Sequence, residues 1–188
     1  MVDFTGHRAL TERLLLRTYG LDDLAVTHDL NSRDEVTRYL PYGSRDLDAS
    51  RRALGRHQTT ELSVDGDGLT LVAFDRASSR PVGEFFLFLR SREHRTGEIG
   101  YLLHPDFWGR GMAVEGARHL LGLAFGPLEL RRVIGRLDAR NESSAKVLVR
   151  LGMRHEARLL QNELFKGEWT DEDQYAVLRS EWTTTHDD

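Results

Sequence analysis

EIGYLLHPDFWGRGMAVEG, Glu98 to Gly116, passes from a strand-like apolar run through Gly109 and Gly111 into the start of a helical pattern. A chain laid out in this way suits an anion. Successive backbone N–H groups of the turn and the first helical turn point into one space, the helix dipole favours negative charge there, and glycine lets the backbone come close. A pyrophosphate fits such a site. A lone Gly-x-Gly is usually just a turn that caps a helix, so its surroundings decide its meaning.

Gly97 to Leu103 reads as a strand and Ala113 to Phe125 as an amphipathic helix. Ala113, Val114, Ala117, Leu120, Leu121 and Ala124 recur at helical spacing, with Glu115, Arg118 and His119 opposite. Upstream, Leu69 to Asp75 and Val82 to Arg90 predict a hairpin around RASSRP, which makes three consecutive antiparallel strands. Earlier still, the pattern predicts a strand at Glu12 to Arg17 and mainly helical segments at Leu21 to Leu40 and Asp46 to Val64, broken at Pro41 and Gly43. Downstream, Arg131 to Ala139 reads as a strand. Asn141 then caps a short helix with the apolar stripe Val147, Leu148 and Leu151, closed by Gly152. Two more strands are expected, at Met153 to Leu164 and Asp173 to Trp182, around the turn-like FKGEWTDE.

The length of 188 residues, with no repeat or linker, predicts a single domain over residues 1–188. No apolar run nears the roughly 20 residues of a membrane-spanning helix. The N-terminal leucines are interspersed with charges, unlike a signal peptide. The expectation is a cytoplasmic protein with no membrane partner. Without cysteine the chain has no thiolate nucleophile, disulfide or cysteine-bound zinc, and its histidines lack metal-ligand spacing, so no metal is expected. A formal charge of -4 opposes the basic excess of nucleic-acid binding, so no nucleic-acid partner is expected either.

Three ordered blocks carry a family resemblance: Glu98 to Gly116, NESSAKVLVRLGM (Asn141 to Met153) and GEWTDEDQYAVLRSEW (Gly167 to Trp182). Together they resemble the GNAT superfamily of N-acetyltransferases, most nearly its ribosomal-protein N-terminal acetyltransferase branch. The resemblance implies an α/β (α+β) fold, one GNAT-type domain with a central mixed, mostly antiparallel splayed sheet flanked by about four helices. It implies acetyl-CoA as acyl donor, held in a gap between the strands at Gly97 to Leu103 and Arg131 to Ala139. Backbone groups of Tyr101, Leu102 and Leu103 would pair with the pantetheine amides, since splayed strands leave groups in need of partners. The amides of Gly109, Arg110, Gly111, Met112 and Ala113 would hold the pyrophosphate. Trp108 stands where the superfamily loop usually begins with glutamine or arginine, a departure of small weight where main-chain groups do most of the binding. Asn141 would touch the pantetheine arm, a role compatible with an N-cap. Arg110 and Lys146 either approach the cofactor phosphates or are simply solvated.

Acyl transfer requires a neutral amine, whereas a lysine side chain titrates near ~10.4 and an α-amine near ~8. A base is needed, with donors for the oxyanion and the departing thiolate. The resemblance offers two bases, Glu98 before the loop and Glu163 in QNELFKGEW, and each could equally be a solvent-facing glutamate. Many superfamily members place an acidic tyrosine where this chain has Leu148. Ser144 matches the serine used instead in the ribosomal-protein branch, although a local backbone bond would also explain it. His104 is expected to pack or cap, and Trp169 and Trp182 to fill the core or its rim. The acceptor is then an amine on a protein N-terminus, a lysine or a small molecule. The competing reading is a non-catalytic acyl-CoA sensor, and other acyl groups and a homodimer stay open.

Overall fold

The computed structural model describes residues 1–184. Strands β1 (Val2–Asp3) and β4 (Glu61–Leu62) form a small antiparallel ladder. The main sheet has the spatial order β2 (Arg8–Leu10), β3 (Leu14–Thr18), β5 (Gly68–Asp75), β6 (Pro81–Ser91), β7 (Thr96–Leu103), β8 (Arg132–Asp138), β10 (Glu168–Leu178) and β9 (Arg154–Phe165). Every neighbouring pair is antiparallel except β7 with β8. The exception follows from the connection: α4 (Met112–Phe125) carries the chain back across the sheet, as a parallel neighbour requires.

That parallel pair meets only at Thr96↔Arg132, Gly97↔Val133 and Glu98↔Ile134. Beyond these residues the two strands run on unpaired, and the sheet is splayed. On one face α4 buries Ala117, Leu120, Leu121 and Ala124 against Phe85, Leu87, Ile99 and Val133. Each fully buried leucine there contributes about 1.5–3 kcal/mol. Next to α4, α5 (Glu142–Arg150) sets Leu148 on β8 at Gly135, where a Cβ would lie 2.9 Å from the leucine.

The opposite face carries α1 (Leu24–Asn31), α2 (Asp34–Thr37) and α3 (Leu47–Arg56), with Leu30 and Val36 packed on Leu102. A polar network fastens α1 to β6. Glu84 is 1% exposed, and its Oε1 accepts from Tyr19 Oη at 2.7 Å and Asn31 Nδ2 at 3.1 Å. Asn31 Oδ1 in turn accepts from Tyr42 Oη and from Arg45 Nη1, both at 3.1 Å. Burial pushes the Glu84 carboxyl up to about 7, against the opposing pull of the Tyr19 and Asn31 bonds.

Several sequence expectations are corrected. The two long helical segments resolve into α1 to α3 and a single 3-10 turn at Leu21–Asp23, and the second ends in β4 after the β-branched Thr59 and Thr60. The described residues contain six α-helices rather than about four, because α2 and α6 (Arg179–Thr184) are short pieces that periodicity does not resolve. The turn expected across FKGEWTDE contracts to Lys166 and Gly167, both at positive φ, as a two-residue hairpin of type I′ demands. Strand β10 therefore starts at Glu168 and stops at Leu178, where α6 begins. Trp182 packs near Phe125, whereas Trp169 is exposed on the hairpin rather than in the core.

Candidate active site in the strand gap

At the far end of β7, a 3-10 turn (Pro105–Phe107) leads into the glycine loop and α4. Gly109 and Gly111 sit at φ 72° and 77°, the left-handed region that favours glycine. With Gly111 as N-cap, the amides of Met112, Ala113 and Val114 have no intrahelical acceptor. They are donors for an anion. The loop is braced from the turn between β2 and β3: Glu115 on α4 accepts from Thr11 Oγ1 at 2.5 Å, the Arg13 amide at 2.7 Å and Arg13 Nε at 2.7 Å. Arg13 Nη1 also donates to the Arg110 carbonyl at 2.6 Å. Partial burial alone would raise the Glu115 carboxyl, but the Thr11 hydroxyl and then the Arg13 bonds hold it below its ordinary range. This brace was missed in the sequence because its partners lie about a hundred residues apart.

The gap has a definite polarity. His104 N donates to Val82 O at 2.8 Å, in register with the Leu102–Glu84 and Leu103–Gly83 neighbours. Antiparallel ladders alternate, so Leu102 turns its backbone groups to β6 while Tyr101 and Leu103 turn theirs toward the gap. Of the three residues expected to pair with pantetheine, Tyr101 and Leu103 present their backbone groups to the gap and Leu102 presents its own to β6. The Leu103 carbonyl already accepts from Trp108 Nε1 at 2.8 Å, which gives that half-exposed tryptophan a structural task. His104 is buried and caps, its Nδ1 accepting from the Asp106 amide at 3.2 Å.

On the helical side of the gap, Asn141 Oδ1 accepts from the Ser144 amide at 3.1 Å, so the N-cap is formed and the Asn141 amide nitrogen is not used in it. Ser144 Oγ lies 2.9 Å from Tyr101 Oη. Burial raises the Tyr101 phenol above its ordinary range, opposed by the Ser144 bond. Arg110 stacks over Phe107 at 5.5 Å, and the exposed Lys146 lies 3.7 Å from Glu142 on its own helix.

The other face carries a row of charged residues, one from each of five neighbouring strands: Arg90 on β6, Glu98 on β7, Arg136 on β8, Glu172 on β10 and Glu163 on β9. Glu98 Oε2 accepts from Arg90 Nε at 2.8 Å and Arg136 Nε at 3.1 Å. Glu172 is 6% exposed, its Oε1 3.6 Å from Arg136 Nη1, and burial raises its carboxyl, with Glu163 adding to the rise and Arg136 opposing it. Glu163 itself is exposed. Ser144 thus stands on the α5 side of the sheet, and both candidate bases stand on the α1 side. Arg136 and Glu172 were not singled out in the sequence, where nothing local marks them. Among the described residues no three His, Cys, Asp or Glu side chains form a metal site, and no helix is long and apolar enough to cross a membrane.

Comparison with known proteins agrees with this architecture. The acetyltransferase (GNAT) domain family matches residues 13–154. The uncharacterized N-acetyltransferase YnaD of Bacillus subtilis is 28% identical over 92% of this chain and 97% of its own length. The uncharacterized N-acetyltransferase p20 of Bacillus licheniformis is 29% identical over 92% of this chain and 96% of its own. A GNAT-family acetyltransferase from Bacillus anthracis superposes with a TM-score of 0.83 at 26% identity, covering 92% of this chain and 99% of that one. A Vibrio cholerae spermidine N-acetyltransferase in complex with CoA and spermine shares the fold, with a TM-score of 0.77 at 19% identity over 92% of this chain and 99% of that one.

Proposed function

Because the chain belongs to the GNAT acetyltransferase family, we propose that it moves an acetyl group from acetyl-CoA to a primary amine by direct attack on the thioester. The observation that carries this reading is the gap between β7 and β8, with the free amides of the glycine loop at its mouth. Pantetheine fits there as a substitute strand along Tyr101 and Leu103. The pyrophosphate fits the amides of Gly109, Arg110, Gly111, Met112 and Ala113, and the Asn141 amide reaches the arm from α5.

Glu163 is the base in this reading, rather than Glu98. The acting oxygen of Glu98 is occupied by two guanidinium donors, whereas Glu163 is exposed beside the raised carboxyl of Glu172. An ammonium reaching this face gives its proton to Glu163, and the neutral amine attacks the thioester carbonyl through the gap. Ser144, on the far side, donates to the departing sulfur. Ser144 and Glu163, with Leu148 in place of the superfamily's tyrosine, favour the ribosomal-protein branch, and a protein N-terminus or small-molecule amine as acceptor. Leu148 also favours the second reading, a sensor that holds acyl-CoA without turnover.

Coenzyme A release from acetyl-CoA with a panel of primary amines separates the two: an enzyme releases thiol in proportion to added amine, and a sensor releases none. With an acceptor in hand, Ser144→Ala is expected to lower kcat about a hundredfold and leave acetyl-CoA affinity unchanged. Glu163→Gln is expected to slow the reaction most at neutral pH and to recover as pH rises and free amine becomes abundant. A Glu98→Gln variant showing that alkaline rescue, beside a Glu163→Gln variant with the wild-type profile, reverses the assignment.

A further inference from the structure

Tyr101 addresses the gap with both its backbone and its side chain. Its ring packs 6.4 Å from Phe85, centroid to centroid, and its hydroxyl reaches across to the first turn of α5. There it lies 2.9 Å from Ser144 Oγ and 3.1 Å from the Ser144 carbonyl oxygen. A serine hydroxyl has a single hydrogen, so these contacts allow two arrangements. In one, the phenol donates to the carbonyl and the serine spends its hydrogen on the phenol. In the other, the phenol turns its one hydrogen from the carbonyl to Oγ, and the serine hydrogen is free. Only the second leaves Ser144 able to donate into the gap.

We propose that Tyr101 is a positioning residue for Ser144, donating its phenolic hydrogen to Ser144 Oγ and so turning the serine's own hydrogen toward the sulfur of the acyl donor. The inference rests on the acyl-transfer reading above. As the amine lone pair forms the C–N bond, the C–S bond breaks with its electron pair on sulfur. The Ser144 hydrogen passes to that sulfur, water restores it, and the proton lost by the amine leaves through Glu163. The Tyr101 hydrogen stays on the phenol throughout, in keeping with a buried group whose ionised form is disfavoured.

The test is a double-mutant cycle of Tyr101→Phe and Ser144→Ala, measuring kcat at saturating amine and acetyl-CoA affinity by calorimetry. Phenylalanine keeps the ring and removes only the hydroxyl. Tyr101→Phe is expected to lower kcat about tenfold with unchanged affinity and melting temperature, and to have no further effect in the Ser144→Ala background. Wild-type kcat in Tyr101→Phe overturns the inference and leaves the acyl-transfer reading standing. So does an effect that multiplies with that of Ser144→Ala, or a loss shared with cofactor affinity, since these are marks of a packing role. Wild-type protein that releases no thiol with any amine overturns the acyl-transfer reading itself.

Discussion

Replacing Gly111 with valine is expected to weaken acetyl-CoA binding by about ten- to a hundredfold. The residue sits at φ 77°, where a β-branched side chain is a steric outlier. Holding such a conformation costs about 1–3 kcal/mol, and each 1.4 kcal/mol is roughly a factor of ten in affinity. Crowding contributes little, because a Cβ at this position meets only Arg13, at 3.5 Å. The expected damage is a relaxed loop whose amides no longer converge. Gly122→Ala on the same helix is the control: its Cβ meets nothing within 4 Å, and affinity should not change. Calorimetry that finds wild-type affinity in a folded Gly111→Val variant removes the loop from the binding site.

Glu84→Gln is expected to stabilise the protein at alkaline pH by about 3 kcal/mol relative to its effect in acid. The folded-state carboxyl titrates at about 7, against an ordinary value of 4.5, so between these values the folded chain holds a proton that the unfolded chain has released. Stability tied to this proton is complete below pH 4.5 and is lost as pH rises to about 7. At 1.36 kcal/mol per unit, the interval corresponds to about 3 kcal/mol. Glutamine imitates the protonated acid, and its carbonyl can still accept from Tyr19 and Asn31. Urea unfolding of both proteins at pH 5 and pH 8 checks this. Parallel pH dependence in the two proteins would mean that Glu84 is ionised in the fold at little cost.

The strand, glycine turn and helix from Gly97 to Phe125 were legible in the sequence because glycine spacing and helical periodicity are local signals. Asn141 and Gly152 were readable for the same local reason, one as a cap and the other as a left-handed stop. The charge row was not readable. Arg136 joins Glu98 only through the parallel register of β7 and β8, and Glu172 joins Arg136 only through the pairing of β8 with β10. Strand alternation says which neighbours share a face, but register decides who the neighbours are. Leu102 shows a finer version of the problem. Its place in the strand was correctly expected, yet the direction of its backbone groups depends on a hydrogen bond between His104 and Val82. The helical reading of Leu21 to Leu40 broke up around Asn31, an interior asparagine serving a network that no periodicity records.

The brace of Thr11 and Arg13 on Glu115 also bears on the order in which the molecule comes apart. Thr11 and Arg13 lie in the turn between β2 and β3 at the sheet edge, where the outer strand β2 has only three residues. Short peripheral strands open at lower free energy than a central core, through partial unfolding that leaves the rest intact. When this corner frays, Glu115 loses three donors at once and the carbonyl of Arg110 loses its guanidinium. The loop then slackens while α4 remains packed. In mild denaturant, cofactor affinity should therefore fade before the global transition, and hydrogen exchange at the Thr11 and Arg13 amides should track that loss rather than the melting of the core, in which Leu14 and Leu16 are buried.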